Sequence, residues 1–531
     1  MSTKKTAIKP KAVAAKKTKV AVKKTKVAAK TSKVAVKKPT KSPLKKLNGI
    51  SDIRRFFYKN DTPIYFISAT NFNLLGADEW IKGFKFITYI ECFDGLHSNV
   101  FSPLEELPHE EFQSIEDINN YLLQHKEVIS FIKKNKKRQN AGKVLFLMFD
   151  EKTEILAKNL GLELCFPSAK LRTFMDNKVN TNRIAEKAGV PCVPYVLSDV
   201  KDYKHLESVS KKLGKHLVIQ TPFGDSGHTT FFISNEKDYK KYAEEIEQEK
   251  EVKIMKRINC RGSAIEACVT RHGTIVAPLM TELVGFKELT PYKGGWCGNE
   301  IFPDAFTPDI REKAAKYTQL FGDQLRKEGY KGYFELDFLI DQDDQSIYLG
   351  ELNPRVTGAS SITNHAVFAL ADVPLFIFHI LEWMDQDYEL DVEEINKRWN
   401  DIDNVDSWSQ LVVKHTKDTI EYVTEAPKSG IYKMQANGTM LFDRMDTHRR
   451  HVELEEEAFF LRITRKGDYL YEGADMGILV LRNRLMTKDF KLTARAKKWI
   501  DAIHANYISI PSAQPQEIEA KLTDSGGFKF L

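Results

Sequence analysis

Between Asp61 and about Ser168 short apolar runs alternate with segments of helical period, the runs being Ile64 to Ile67, Phe84 to Cys92, Val144 to Phe149 and Leu162 to Phe166. Strands interleaved with helices in this way predict an open α/β sheet. Residues 107 to 140, rich in Glu, Gln and Lys, read as a helical insertion. In NKVNTNRIAEKAGVPCVPY (177–195) a helix starts after Asp176 and stops at Gly189, and two prolines then force an extended chain. Strand pairs follow to about Val284. A loop poor in apolar residues, KELTPYKGGWCGNE (287–300), leads to an amphipathic helix from Pro308 to Glu328. Beyond Trp383 the chain turns polar and then β-rich, with Gly430, Gly438, Gly467, Gly473 and Gly477 punctuating short strands.

The sharpest pattern is GYFELDFLI (332–340). Side chains alternate along a strand, so Phe334, Leu336, Phe338 and Ile340 share one face and Glu335 and Asp337 the other. A turn from Asp341 to Gln345 leads into IYLGELNPR (347–355), where Glu351 and Asn353 share a face. If Asp337 lies opposite Glu351, the same antiparallel register sets Glu335 opposite Asn353. Three carboxylates and an amide then meet on one patch. Like charges placed across a hairpin repel, so the patch calls for a cation, and all-oxygen ligands point to Mg²⁺. The plain alternative is an exposed acidic sheet face.

VIQTPFGDSGHTTFF (218–232) sets two β-like runs around Gly224, Asp225, Ser226 and Gly227. Their backbone N–H groups can curl around phosphates, with the glycines permitting close approach. Taken alone the segment is also an ordinary hairpin with a long turn. His228 and His365 invite a general-base role, although a lone histidine near a site is more often a structural donor. The segment Gly294, Gly295, Trp296 reads either as a lid or as a packed surface loop.

Charge divides the 531-residue chain into unlike parts. Residues 1–47 hold 17 of the 80 basic residues, all lysine, and no acid, which leaves 63 basic against 73 acidic groups and a net charge of −10 for the rest. KTKVA and KVAVKK each recur in this arm. Such a segment buries too little to offset its ordering entropy and is expected to be disordered. It resembles the lysine- and alanine-rich tails of linker histones and bacterial histone-like proteins, which implies loose, non-specific contact with nucleic acid or other polyanions. A solubilising tail is the equal alternative. The acidic body speaks against a nucleic-acid-binding protein as a whole. None of the six cysteines has CxxC spacing, no run approaches the length of a membrane span, and the N-terminus carries no secretion signal, so a cytoplasmic protein without membrane contact is expected.

In this order the motifs resemble the ATP-grasp superfamily, specifically its biotin carboxylase and carboxylate-amine ligase branches. The likeness runs from about Pro63 to Met384. It implies an α/β (α+β) ATP-grasp fold with a Rossmann-like pre-ATP-grasp domain before it and a β-rich C-terminal subdomain after it. The division expected is an arm at 1–47, the first domain at 48–168, the ATP-grasp domain at 169–384 and the C-terminal subdomain at 385–531. By resemblance Lys178 reaches the nucleotide phosphates and the loop at Gly224, Asp225, Ser226 and Gly227 covers them. KIMKRINCRGSAIEACV (253–269) looks like the hinge strand, with Lys256, Arg257 and Ile258 at the adenine and Glu266 approaching the site. Asp337, Glu351 and Asn353, with Glu335, match the metal ligands, and Arg355 matches the arginine that steadies an acyl phosphate.

Two departures stand out. Gln220 occupies the place of a second phosphate lysine, and Met255 or Lys256 the place of an acidic residue before the hinge. After Arg355 come Val356, Thr357, Gly358 and Ala359 with no carboxylate, and no Met-Lys-Met carrier motif occurs, which speaks against biotin and bicarbonate chemistry. The resemblance thus implies a ligase that uses ATP with Mg²⁺ or Mn²⁺ to activate a small-molecule carboxylate as an acyl phosphate, captured by an amine or other nucleophile; a homodimer is one assembly open to it. The alternative is a nucleotide sensor of weak turnover, tethered to polyanions by its arm.

Overall fold

The computed structural model describes residues 46–104, 112–137, 140–224, 229–364, 372–516 and 518. The arm up to Lys45, the loop residues Asp225, Ser226, Gly227 and His228, and His365 lie outside the described residues.

The alternating runs after Asp61 form one five-stranded parallel sheet, in which Ile64–Ser68 pairs with Phe84–Thr88 on one side and Lys143–Phe146 on the other. Parallel pairing needs both faces covered. The expected helical insertion supplies part of that cover as two helices, Ile115–Gln124 and Lys126–Asn135, with Ile118, Leu122, Val128 and Ile132 buried.

Two antiparallel sheets follow. The smaller has four strands, in the order Tyr195–Ser198, Val252–Lys256, Leu217–Gln220, Thr230–Ile233. The larger has eleven and contains Cys260–Thr270, Met280–Val284, Trp296–Ile301, Gly332–Asp341 and Ile347–Asn353. The chain crosses from one to the other at Arg257, Ile258 and Asn259, so the expected hinge is a real junction between sheets. The amphipathic helix Pro308–Lys327 packs on the larger sheet through Ile310, Ala314, Phe321 and Leu325.

The C-terminal part is β-rich as expected, but most of it is not a sheet of its own. Trp296–Ile301 pairs with Trp408–Lys414, which pairs in turn with Asp475–Arg482, so the larger sheet continues across the polar stretch after Trp383. An unpaired strand edge is a liability, and this continuation covers it. Glu421–Glu425, Tyr469–Leu470 and Ile508–Pro511 form a separate three-stranded sheet, and Tyr388–Glu389 pairs with Leu47–Asn48.

Candidate functional site

The hairpin register is the one the sequence implies: Glu335 faces Asn353 and Asp337 faces Glu351. After Asp337 the register slips by one, with Phe338 opposite Leu349, which leaves Gly350 as the extra residue. A bulge of this kind bends its strand and re-aims neighbouring side chains. The acidic face is not a solvated surface, since Glu335 is buried at 5% exposure and Asp337 is half-buried. Asn353 donates to Asp337 Oδ2 at 3.2 Å, and Arg355 donates to Asn353 Oδ1.

A fourth carboxylate joins them. Glu282, on the strand Met280–Val284, lines the same cavity as Glu335, Asp337 and Glu351. Burial raises the carboxyl pKa of Asp337 well above its usual range, and Glu282, Glu335 and Glu351 raise it further. Glu335 is raised in the same way, by burial first and then by Glu266 and Glu282. Glu282 is pushed up to about 7 by burial and by Glu351. Carboxyls crowded in this way cannot all ionise without a countercharge. Among the described residues no three His, Cys, Asp or Glu side chains are gathered tightly enough to cage a metal alone. Asp337, Glu351 and Asn353 are the residues that could contribute oxygen ligands to a cation here, with Glu335 deeper.

Lys178 opens the helix Lys178–Ala188, which Asn177 caps by accepting from Val179 N and Asn180 N and which Gly189 ends in the left-handed conformation. A cation in the first turn opposes the helix macrodipole, and the first turn holds no acid. The lysine is buried, and its ammonium donates to Gly224 O at 2.6 Å and to Glu351 Oε1 at 2.8 Å. Gly224 has φ +133°, and a Cβ there would meet the Thr229 side chain at 2.2 Å.

The two antiparallel sheets face each other across a slot that apolar side chains fill: Val193, Val218 and Met255 are buried there, with Tyr195, Ile258, Leu339 and Tyr348 packed against them. Farther along the same face of the small sheet stand Gln220 and Lys253, directly paired across the strands. Sequence reasoning passed over Lys253. Its ammonium donates to Gly350 O at 3.2 Å, and burial lowers its pKa.

The cavity that the carboxylates line, of about 240 Å³, also takes in Lys178, Gly224 and Thr230 and draws on remote parts of the chain. Asn73, Ile115, Leu147 and Met148 come from the parallel-sheet region and Trp296 from the expected lid segment. Arg355 and the turn Val356, Thr357, Gly358 and Ala359 complete it. Asn73 Nδ2 donates to Thr357 O at 2.8 Å, and Gln410 Nε2, from the C-terminal strands, donates to Gly358 O at 2.8 Å. Trp296 lies on Gly358, where a Cβ would come within 2.2 Å of its ring. Glu266 does not reach the cavity. It is fully buried beneath the turn, accepting from Ser360 Oγ at 2.6 Å, Tyr333 OH at 2.5 Å and Thr357 Oγ1 at 3.2 Å. Lys256 is exposed on the hinge, and the Arg257 guanidinium sits over the Phe232 ring.

No protein-family model matches the chain. Among solved structures, biotin carboxylase of Campylobacter jejuni in complex with β,γ-ATP superposes with a TM-score of 0.55 at 12% identity, covering 88% of this chain and 95% of that one. The chain has the ATP-grasp fold. The biotin carboxylase domain of Hydrogenobacter thermophilus 2-oxoglutarate carboxylase, solved with MgADP, ADP and bicarbonate, shares this ATP-grasp fold with a TM-score of 0.52 at 13% identity, covering 88% and 96%.

In sequence, the butirosin acyl-carrier protein L-glutamate ligase of Niallia circulans is 22% identical over 48% of this chain and 61% of its own length. The alpha subunit of Arabidopsis thaliana mitochondrial methylcrotonoyl-CoA carboxylase is 25% identical over 40% and 29%. D-alanine–D-alanine ligase of Clostridium novyi is 24% identical over 46% and 70%. The ATP-grasp chain thus spans less than two thirds of the length of the first two.

Proposed function

We propose that this ATP-grasp protein is a ligase that uses Mg²⁺ and ATP to activate a substrate carboxylate for capture by an amine or another nucleophile. One observation carries the reading: a buried lysine, four carboxylates, an amide and an arginine converge beside a slot between two sheets joined by a hinge. The relatives support it, since two are named as ligases, one of L-glutamate to an acyl-carrier protein and one of D-alanine to D-alanine.

In this reading Asp337, Glu351 and Asn353 would hold Mg²⁺, which would supply charge neutralisation at the terminal phosphates. The apolar stretch at Val218, Met255, Ile258 and Leu339 receives the base, with the hinge backbone at Lys256, Arg257 and Ile258 alongside. Lys178 and the loop from Gly224 hold the phosphate chain. The substrate carboxylate attacks the γ phosphorus, the bond to the ADP oxygen breaks, and Arg355 holds the charge of the acyl phosphate. The incoming nucleophile then displaces phosphate. Positioning and electrostatic stabilisation supply most of such a catalyst's rate. Substrate enters the cavity bounded by Asn73, Met148 and Trp296, so residues 48–168 share with 169–384 the shaping of the substrate side, and 385–531 support it through Gln410.

The test is ADP release from the full chain with Mg-ATP across a panel of carboxylic acids and amines, beside Glu351→Ala. Turnover that requires one acid and is lost in the variant supports the ligase. Gln220 at the phosphate-lysine position favours a second reading, a nucleotide sensor, for which the outcome is Mg-ATP binding without turnover. Absence of Mg-ATP binding overturns both.

A further inference from the structure

Lys253 is 1% exposed. An ammonium carries three donors. Among the described residues this one has a single hydrogen-bond partner, the neutral carbonyl of Gly350, and no carboxylate within salt-bridge distance. A buried charge without a countercharge is costly, and a methionine or leucine would fill the same space at no such cost. Opposite it, Oε1 of Gln220 is also buried without a partner, while Nε2 donates to Thr230 Oγ1 at 3.3 Å. A lone cation and an unpartnered amide oxygen, side by side on a slot wall, describe a place made for an anion that also bears a donor.

We propose that Lys253 is the second phosphate-binding cation of the nucleotide site, supplying from the neighbouring strand the charge that the position of Gln220 lacks. The inference rests on the nucleotide reading above and adds to it a residue to which the resemblance gives no role. Register carries the argument. Lys253 pairs with Gln220 and Met255 with Val218, so the four side chains share the face that looks across the slot to the large sheet. Met255 and Val218 lie in the apolar stretch with Ile258 and Leu339. A two-residue step along the strand, about 6.8 Å, leads from Met255 to Lys253. There the ammonium reaches Gly350 O, next to Glu351, which Lys178 contacts. The slot therefore runs from apolar wall to Lys253 and Gln220, then to Lys178 and the carboxylates. This is the order of base, inner phosphate, and outer phosphates with metal. Lys253 meets the phosphate nearest the nucleoside, and Gln220 Oε1 is placed to accept from a ribose hydroxyl.

The experiment measures binding of Mg-ATP, Mg-ADP and adenosine to the full chain by calorimetry, for the wild type, Lys253→Met and Lys253→Met/Gln220→Lys. The expected result is a loss of roughly tenfold or more in affinity for both nucleotides in the single variant. Adenosine affinity stays the same, and the double variant, which returns the charge to the opposite strand, recovers most of the loss. Should the methionine variant not fold, Lys253→Gln, polar and of similar reach, carries the same comparison. Wild-type nucleotide affinity in the neutral variant overturns the proposal. An equal loss for adenosine also overturns it, since that marks a merely structural residue. A wild-type protein that binds no Mg-ATP sinks the nucleotide reading itself, an outcome distinct from either.

Discussion

The Lys178 ammonium stands 2.8 Å from Oε1 of Glu351, joining across 173 positions the group that reads as a phosphate ligand and the group that reads as a metal ligand. The lysine side chain is 5% exposed and the carboxylate 28%, so the pair is only partly screened by solvent. Removing one partner of such a pair leaves the other poorly solvated. Lys178→Met should therefore lower stability by about 2 kcal/mol, and adding Glu351→Gln should return much of it. Urea unfolding of the two singles and the double checks this. Strictly additive losses would mean the contact contributes nothing. Both singles should also lose nucleotide-dependent turnover by roughly a hundredfold or more, because each acts where charge develops.

Glu282 gives a pH dependence with a definite sign. Its carboxyl is pushed up to about 7 by burial and by Glu351. From about pH 4.5 to 7 the unfolded chain releases this proton while the native chain keeps it. The native state binds more protons there, so stability falls as pH rises. Glu282→Gln should be more stable than the parent at pH 8, on the order of 2 kcal/mol, and should flatten the slope. Excess Mg²⁺ should also flatten it in the parent by stabilising the ionised cluster. Melting temperatures at several pH values, in EDTA and in Mg²⁺, make the comparison. An unchanged slope in the variant would show that Glu282 does not titrate with the cluster.

The acidic hairpin was legible in the sequence because two independent periodicities had to agree. Alternation in GYFELDFLI chose the acidic face, and one register constraint then set Asp337 against Glu351 and Glu335 against Asn353. The helix at Lys178 was legible because its ends carry local chemistry, an Asn cap and a left-handed Gly. Glu282 and Lys253 were not, for the same reason in both cases. Glu282 is the one charged residue of MTELV (280–284) and Lys253 the one buried charge of VKIMK (252–256), and the partners of each come from strands whose pairing no local pattern states. The signal was present as an anomaly, since a lone charge in a buried strand is costly unless something answers it. Asn73 and Gln410 were beyond reach, because each meets the site through the carbonyl of a turn remote in sequence.

Trp296 and Gly358 make a steric prediction. The indole lies where a Cβ on residue 358 would come within 2.2 Å of the ring, and its Nε1 donates to Asn299 Oδ1 at 3.0 Å. A fixed wall cannot yield without losing its hydrogen bond. Gly358→Ala should therefore displace Trp296 and narrow the cavity, raising the KM for the carboxylate substrate more than tenfold with little change in nucleotide affinity. Trp296→Ala in the same chain should relieve it. Equal kinetic constants for Gly358→Ala and the parent would mean that Trp296 moves aside freely.

His379 gives the opposite pH slope from Glu282 and can be separated from it. Its Nδ1 accepts from Tyr333 N at 2.9 Å, so Nε2 carries the hydrogen and donates to Cys165 O at 2.7 Å. The neutral ring thus ties the first residues of the strand Gly332–Asp341 to the end of the parallel-sheet region. Full burial holds its pKa down to about 3. Below pH 6.5 the unfolded chain takes up a proton that the native ring refuses, so stability is fully present above that pH and is lost progressively toward about pH 3. The loss should reach about 3 kcal/mol by pH 4. Because Glu282 works in the other direction over part of this range, the measurement belongs in the Glu282→Gln background, with and without His379→Gln. Urea unfolding from pH 7 to 4 should show the parent weakening steadily and the glutamine variant, less stable at pH 7, changing less. Parallel curves would show that this imidazole protonates without cost, and that the tie between Tyr333 and Cys165 does not depend on its neutral form.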